Sequence, residues 1–214
     1  MSPVLVNRTL LIAAGLLSLC LTTAVNGIAG GWLKRNAPQF ALLADATIPS
    51  MLASLIFYLA VRPERPFAPP PRSTNWPPII RLCAIYLAIW VSGSALVACI
   101  RGGWRAYTHE AAPLFAFVLV APLAEEIMFR GTLFELAERS SFAFPAAPIW
   151  ITSILFGLQH FQLHGYRADS AALTQAAFTF PMGLVFATVR SRSRSIWPAL
   201  ILHILTNVTG AFGQ

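Results

Sequence analysis

The chain has 214 residues, of which 57% are hydrophobic and only 11% charged, and its mean hydropathy is +0.66. Soluble domains carry about 25% charged residues, so this composition excludes an ordinary water-facing surface and leaves a lipid bilayer as the surrounding solvent. The net charge of +7 comes from 15 Lys and Arg against 8 Asp and Glu. The basic residues stand mostly at the ends of apolar runs, the positive-inside arrangement, and no basic stripe interleaves with aromatics as nucleic-acid binding requires.

In lipid every backbone polar group must be satisfied internally, which leaves helices or a closed barrel. Barrel strands alternate polar and apolar residues. The apolar runs here are continuous, so the expected fold is all-α, a polytopic transmembrane helical bundle of about seven spans. A single integral-membrane domain over 1–214 is expected, with its motif-bearing core at about 111–212.

The first run covers about 9–28 and follows Arg8. It imitates a signal peptide, but the later spans make a retained anchor the better reading. The second covers about 40–61 and contains Asp45. Residues 62–78 hold Pro63, Pro66, Pro69, Pro70 and Pro71 among Arg62, Arg65 and Arg72, which reads as an exposed linker. The third run is about 79–100, with Arg81 near enough to one end to snorkel. The fourth is about 111–136, the fifth about 146–163 and the sixth about 171–189. Arg190, Arg192 and Arg194 read as a tight basic loop before the seventh run at about 196–212. Lys and Arg counts put the N-terminus, the proline-rich linker and this loop on the cytoplasmic side. Cys20, Cys83 and Cys99 all fall in apolar runs without CxxC spacing and read as small core residues.

A charge in mid-membrane costs about 2.5–3.5 kcal/mol on insertion scales, and such residues usually face the bundle interior. The fourth run carries three within six positions, Glu125, Glu126 and Arg130. Glu126 and Arg130 are i,i+4 neighbours in the favourable Glu-before-Arg order and are expected to pair. Glu125 is turned about 100° from Glu126 and about 140° from Arg130, so it has no local counter-charge. An acid placed so can exchange protons near neutral pH. A purely structural ion-pair network is the competing reading, and two acids against one base argue against it.

Two later runs supply matching groups. The fifth carries Gln159-His160 late in the run, and the seventh places His203 and Asn207 at i,i+4. A carboxylate with an imidazole can deprotonate water, and a second imidazole with an amide can donate to the oxyanion formed at a carbonyl. That is peptide hydrolysis without a covalent nucleophile and without a cofactor. The same Glu125, His160 and His203 can alternatively be read as a zinc site, although no HExxH spacing is present. Elsewhere the sequence offers no GxSxG elbow around Ser153 and no aspartyl motif around Asp45 or Asp169. His109 and His164 read as solvated loop residues, and Glu135, Glu138 and Arg139 as a solvated helix end.

Taken together, Glu125-Glu126-x-x-x-Arg130, Phe156-x-x-x-His160 and His203-x-x-x-Asn207 resemble the EExxxR, FxxxH and HxxxN signatures of the CAAX-protease and bacteriocin-processing family. Phe180, Gly183, Ser195, Trp197, Pro198 and Ala199 are similar to the family's approach to its third motif. The resemblance covers about 113–207. It implies an intramembrane endopeptidase in which Glu125 with His160 activates water, His203 with Asn207 holds the oxyanion, and Glu126 and Arg130 support them. The implied partner is a membrane-embedded or lipid-anchored peptide or protein tail in the lipid bilayer, and the expected compartment a bacterial inner membrane. Ala187 departs from the family in standing where a second small glycine is expected after Gly183. The alternative is a non-catalytic membrane immunity or interaction protein on the same scaffold; a proton-coupled transporter would need a polar path that the first three runs, apart from Asp45, do not supply. Strict alternation of seven spans puts His160 nearer the opposite face from His203, so either the boundaries differ or the fifth run is short or broken near Gly157.

Overall fold

The structure, a computed structural model, describes residues 67–100, 102–103, 114–140, 142, 144–161 and 168–212, together with 13, 24, 28, 31–36, 51–52, 54–56 and 58–59. Most of the first two runs, with Cys20, Asp45, His109 and His164, lie outside the described residues.

The elements among the described residues are all helices: α1 (Gly31–Asn36), α2 (Trp76–Ile100), α3 (116–139), α4 (Ala147–Gln159), α5 (Ser170–Ser193) and α6 (Ile196–Phe212). Helix α2 starts three residues before the expected run. Pro77 and Pro78 sit in its first turn, where the missing N–H groups would have had no helical partner anyway. Its outward side presents Ile80, Ile85, Ile89, Leu96 and Ile100. An exterior this apolar is matched to hydrocarbon. Cys83 packs partly against the core, whereas Cys99 is exposed on the outside rather than in the core as expected.

Helices α2 and α5 are long and apolar enough to cross a bilayer; α4 and α6 are shorter apolar helices. The described residues therefore do not reach the expected seven full spans. Helix α4 is the informative departure. Its 13 residues rise about 20 Å, against a hydrocarbon thickness of about 30 Å. It stops at Gln159, and one tight 3₁₀ turn carries His160 and Phe161. The fifth run is thus short, and its histidine ends inside the bundle rather than at the far face.

Two glycines let α4 and α5 meet closely. A Cβ on Gly183 would lie 3.1 Å from the Cα and 3.2 Å from the Cβ of Ser153, and one on Gly157 would lie 3.3 Å from the Cβ of Phe180. Such small-residue seams are how membrane helices approach when no water is there to drive them together. Pairing of 153 with 183 and of 157 with 180 makes the two helices antiparallel. Helix α5 packs on α4, α6 and α2. Asp169, expected in a polar loop, accepts from the Ala172 N–H at 2.9 Å and caps the start of α5.

Arg190 is not in a loop. It is 7% exposed inside the last turns of α5, and the turn comes later, at Arg194, whose φ of 54° ends the helix in the left-handed conformation. Residues 67–75 of the proline-rich segment are held at the same end. Ser195 Oγ donates to the Ala68 carbonyl at 2.7 Å and Trp197 Nε1 to that of Phe67 at 3.0 Å.

Helix α3 is a continuous rod of alternating pitch. Ala116–Val120 and Ile127–Leu133 are π-helical, and Ala121–Glu126 and Phe134–Arg139 are α-helical. The junction residues all keep right-handed helical dihedrals. The Ala121 N–H bonds back to the Ala116 carbonyl, and the Phe134 N–H to that of Phe129. Wide turns of this kind recur at functional sites, and the acidic motif straddles one: Glu125 and Glu126 close an α turn, while Arg130 lies within the second π stretch.

Candidate active site

Glu126 and Arg130 form the expected pair, with Nη1 2.9 Å from Oε1 and neither side chain exposed to solvent. Burial without relief would cost several kcal/mol per ion, and three aromatic rings add to the relief. The guanidinium lies 4.4 Å from the centre of Phe156, 5.3 Å from Phe186 and 5.8 Å from Phe129. Its Nη2 donates to the Gly183 carbonyl at 3.3 Å.

His203 joins this pair, which the sequence did not predict. Its Nδ1 stands 3.0 Å from the same Glu126 oxygen. Because that carboxylate is ionised against Arg130, Nδ1 must carry a proton and donate. The other nitrogen, Nε2, faces Glu125 Oε2 at 3.6 Å. One imidazole from α6 thus sits between two adjacent glutamates of α3. The ring is stacked on Phe186 with centroids 4.7 Å apart.

Glu125 differs from its neighbour. Its side chain is 16% exposed, against none for Glu126. His160 is half-buried, and its Nδ1 lies 2.8 Å from the Phe156 carbonyl, which fixes the ring and leaves Nε2 to act elsewhere. It is close enough to Glu125 and His203 for their charges to act on it. Phe156 makes edge contacts with both imidazoles, at 4.9 Å to His160 and 5.9 Å to His203. The motif phenylalanine is therefore the wall that both histidines share.

Asn207 is anchored to α3. Its Nδ2 donates to the Phe117 carbonyl at 2.9 Å. Pro122, five residues on, supplies no N–H that could close a π turn onto that carbonyl. One N–H of the amide is spent there, and the second stays available on the same rigid group.

Glu125, Glu126, Arg130 and His203 thus meet from two helices, His160 stands against the Phe156 ring that also touches His203, and Asn207 lies one turn along α6 from His203. Among the described residues no three His, Cys, Asp or Glu side chains, the alternative zinc set included, form a group that could hold a metal ion. The sequence reading missed Arg190, Phe186 and the Gly183 carbonyl. Their spacing of three and four residues along α5 puts them on one face, and all three meet Arg130 or its backbone.

Residues 107–209 match the family model described as type II CAAX prenyl endopeptidase Rce1-like. The three motifs lie in order within that match, on three packed helices. This half of the chain is thus similar to the type II CAAX prenyl endopeptidases. The chain is also similar to the Bacillus subtilis protein named "Putative membrane peptidase YdiL", 32% identical over 101 residues, which is 46% of this chain and 36% of that protein. It therefore spans about a third of the length of that curated relative. No solved structure matches. The similarity to a membrane peptidase and the apolar exterior agree that this is an integral membrane protein, with Glu125, Glu126, Arg130 and His203 as charged or ionisable groups inside the bundle.

Proposed function

We propose that this chain is an intramembrane endopeptidase that hydrolyses a peptide bond in a membrane-associated or lipid-anchored C-terminal tail. The observation that carries the reading is the division of labour between adjacent glutamates. Glu126 is sealed against Arg130 and His203, while Glu125 keeps an accessible oxygen beside an oriented imidazole.

In this reading Glu125 and His160 hold a water, and Glu125 takes its proton as the oxygen bonds to the substrate carbonyl carbon. The carbonyl oxygen becomes an oxyanion. The Nε2–H of an imidazolium at His203 and the second N–H of Asn207 donate to it. When the C–N bond breaks, the proton passes from Glu125 to the leaving amine. Glu126 fixes the His203 ring through Nδ1, so the donor is aimed before substrate arrives. No metal takes part. His203 lies seven residues into α6, about 10 Å along its axis from the end carrying Arg192 and Arg194. With that basic end at the cytoplasmic face, the site lies within the cytoplasmic leaflet of a bacterial cell membrane, in reach of a tail anchored there.

The test is cleavage by the purified protein in nanodiscs of two bilayer-anchored peptides, one prenylated at its C-terminal tail and one held by a transmembrane helix. Cutting of at least one by the wild type and of neither by Glu125→Gln is expected. Equal cutting by both proteins removes the proposed base.

A further inference from the structure

We propose that Arg190 is a positioning residue, which holds open the wide turn of α3 that carries the acidic motif. The inference rests on the endopeptidase reading for its consequence in activity, but the geometry stands apart from it.

A π stretch that returns to α spacing passes over one carbonyl. Its last acceptor takes an N–H five residues on, the following α bond skips forward, and the carbonyl between is left without a helical donor. A buried carbonyl so placed needs a partner from elsewhere. Helix α3 makes this return twice. In the first π stretch the last acceptor is Ala116, the next carbonyl is Phe117, and Asn207 of α6 donates to it. In the second the last acceptor is Phe129, the next carbonyl is Arg130, and Nε of Arg190 donates to it at 3.0 Å. A side chain from a different neighbouring helix meets each one.

Arg190 is built for this task. Its guanidinium lies 5.2 Å from the centre of the Phe134 ring, and Nη2 lies 3.9 Å from Glu138 Oε2, whose side chain is 47% exposed. The ring and the carbonyl hold it inside the bundle; the loose contact with a half-exposed acid does not. Without the Nε donor the turn's cheapest repair is to return to α spacing. That would rotate Glu125 and Glu126 relative to the rest of α3 and draw Glu126 away from His203.

The experiment is ¹⁵N NMR of the histidine rings in the full-length protein in nanodiscs, with His203→Ala used to assign the signal. Wild-type His203 is expected to show a protonated Nδ1 bonded to a carboxylate. Arg190→Met is expected to remain folded, to lose that signature and, where the wild type cleaves the bilayer-anchored peptides, to lower kcat about 100-fold with KM little changed. Arg190→Gln, which keeps a planar N–H donor without charge, is expected to retain the signature, and Arg190→Lys, which keeps charge without the fork, to lose it. An unchanged His203 signature in folded Arg190→Met overturns the proposal. Should that variant not accumulate, retention by Lys and loss by Gln overturn it equally, because the charge pair with Glu138 would then be what matters. The ring signal decides the positioning role even if no peptide is cut, so its failure is separable from failure of the peptidase reading.

Discussion

The Nδ1 of His203 lies 3.0 Å from Oε1 of Glu126, which ties the last helix to the acidic motif through one oxygen. Arg130 binds the same atom, so Glu126 both neutralises a buried guanidinium and orients an imidazole. Glu126→Gln is therefore expected to unsettle both. Removing one partner of a buried pair costs about 3–5 kcal/mol, read as a large drop in thermal midpoint in nanodiscs. Adding Arg130→Met, which removes the stranded cation, is expected to restore much of that stability without restoring cleavage. A double variant no more stable than the single one would show that the pair is not what Glu126 contributes.

Glu125→Gln should separate stability from chemistry in the opposite sense. The side chain is partly exposed and its nearest ionic contact, His203 Nε2, is 3.6 Å away, beyond a direct hydrogen bond. The thermal midpoint is expected to stay close to wild type while cleavage falls by about 10²–10⁴-fold, the span of a lost general base. His160→Ala is expected to behave alike in activity. A Glu125→Gln protein as unstable as Glu126→Gln would place the two acids in one structural network.

Much of this site was legible because lipid makes a buried charge expensive, so Glu125, Glu126, Arg130, His160, His203 and Asn207 stand out against apolar runs. The i,i+4 rule also named the Glu126–Arg130 pair correctly. Two things were hidden. Helical periodicity assumes one pitch, and α3 changes pitch three times, so neither the anchoring of Asn207 nor the use of Arg190 follows from residue spacing. Charge pattern likewise assigned Arg190 to a loop with Arg192 and Arg194, because a basic residue near a run's end normally reaches water. Only the packing of Phe134 and the Arg130 carbonyl around it explains its burial. The length of α4 was hidden for a related reason: apolar residues continue past Gln159, and hydropathy does not see the helix stop.

Gly183 tests the seam that places His160. A Cβ there would meet the Ser153 backbone at 3.1 Å and Phe156 Cδ1 at 3.3 Å. The first is main chain and cannot step aside. Gly183→Ala is expected to cost about 1–3 kcal/mol, as overpacking does, and to lower cleavage further than stability, since Phe156 touches both imidazoles. Ala187 is buried on the same helix with its methyl already accommodated, so Ala187→Gly should change cleavage little. Comparing thermal midpoints and rates of the two variants checks which position sets the helix approach.

Asn207 carries the last prediction, because its two N–H groups have different tasks. One donates to the Phe117 carbonyl, and the other is assigned to the oxyanion. Asn207→Asp is nearly isosteric but, when ionised, has only acceptors to offer, so the carboxylate faces a carbonyl instead of bonding to it. Asn207→Leu merely removes this hydrogen bond, at about 0.5–1.5 kcal/mol. Both are expected to abolish most cleavage, with Asp the less stable at pH 8 and the gap narrowing as the pH falls and the acid takes up a proton to donate. Asn207→Gln keeps both donors on a longer arm and should recover stability better than rate. A Gln variant with wild-type rate would mean that the amide's position, and hence the Phe117 anchor, does not matter to the reaction.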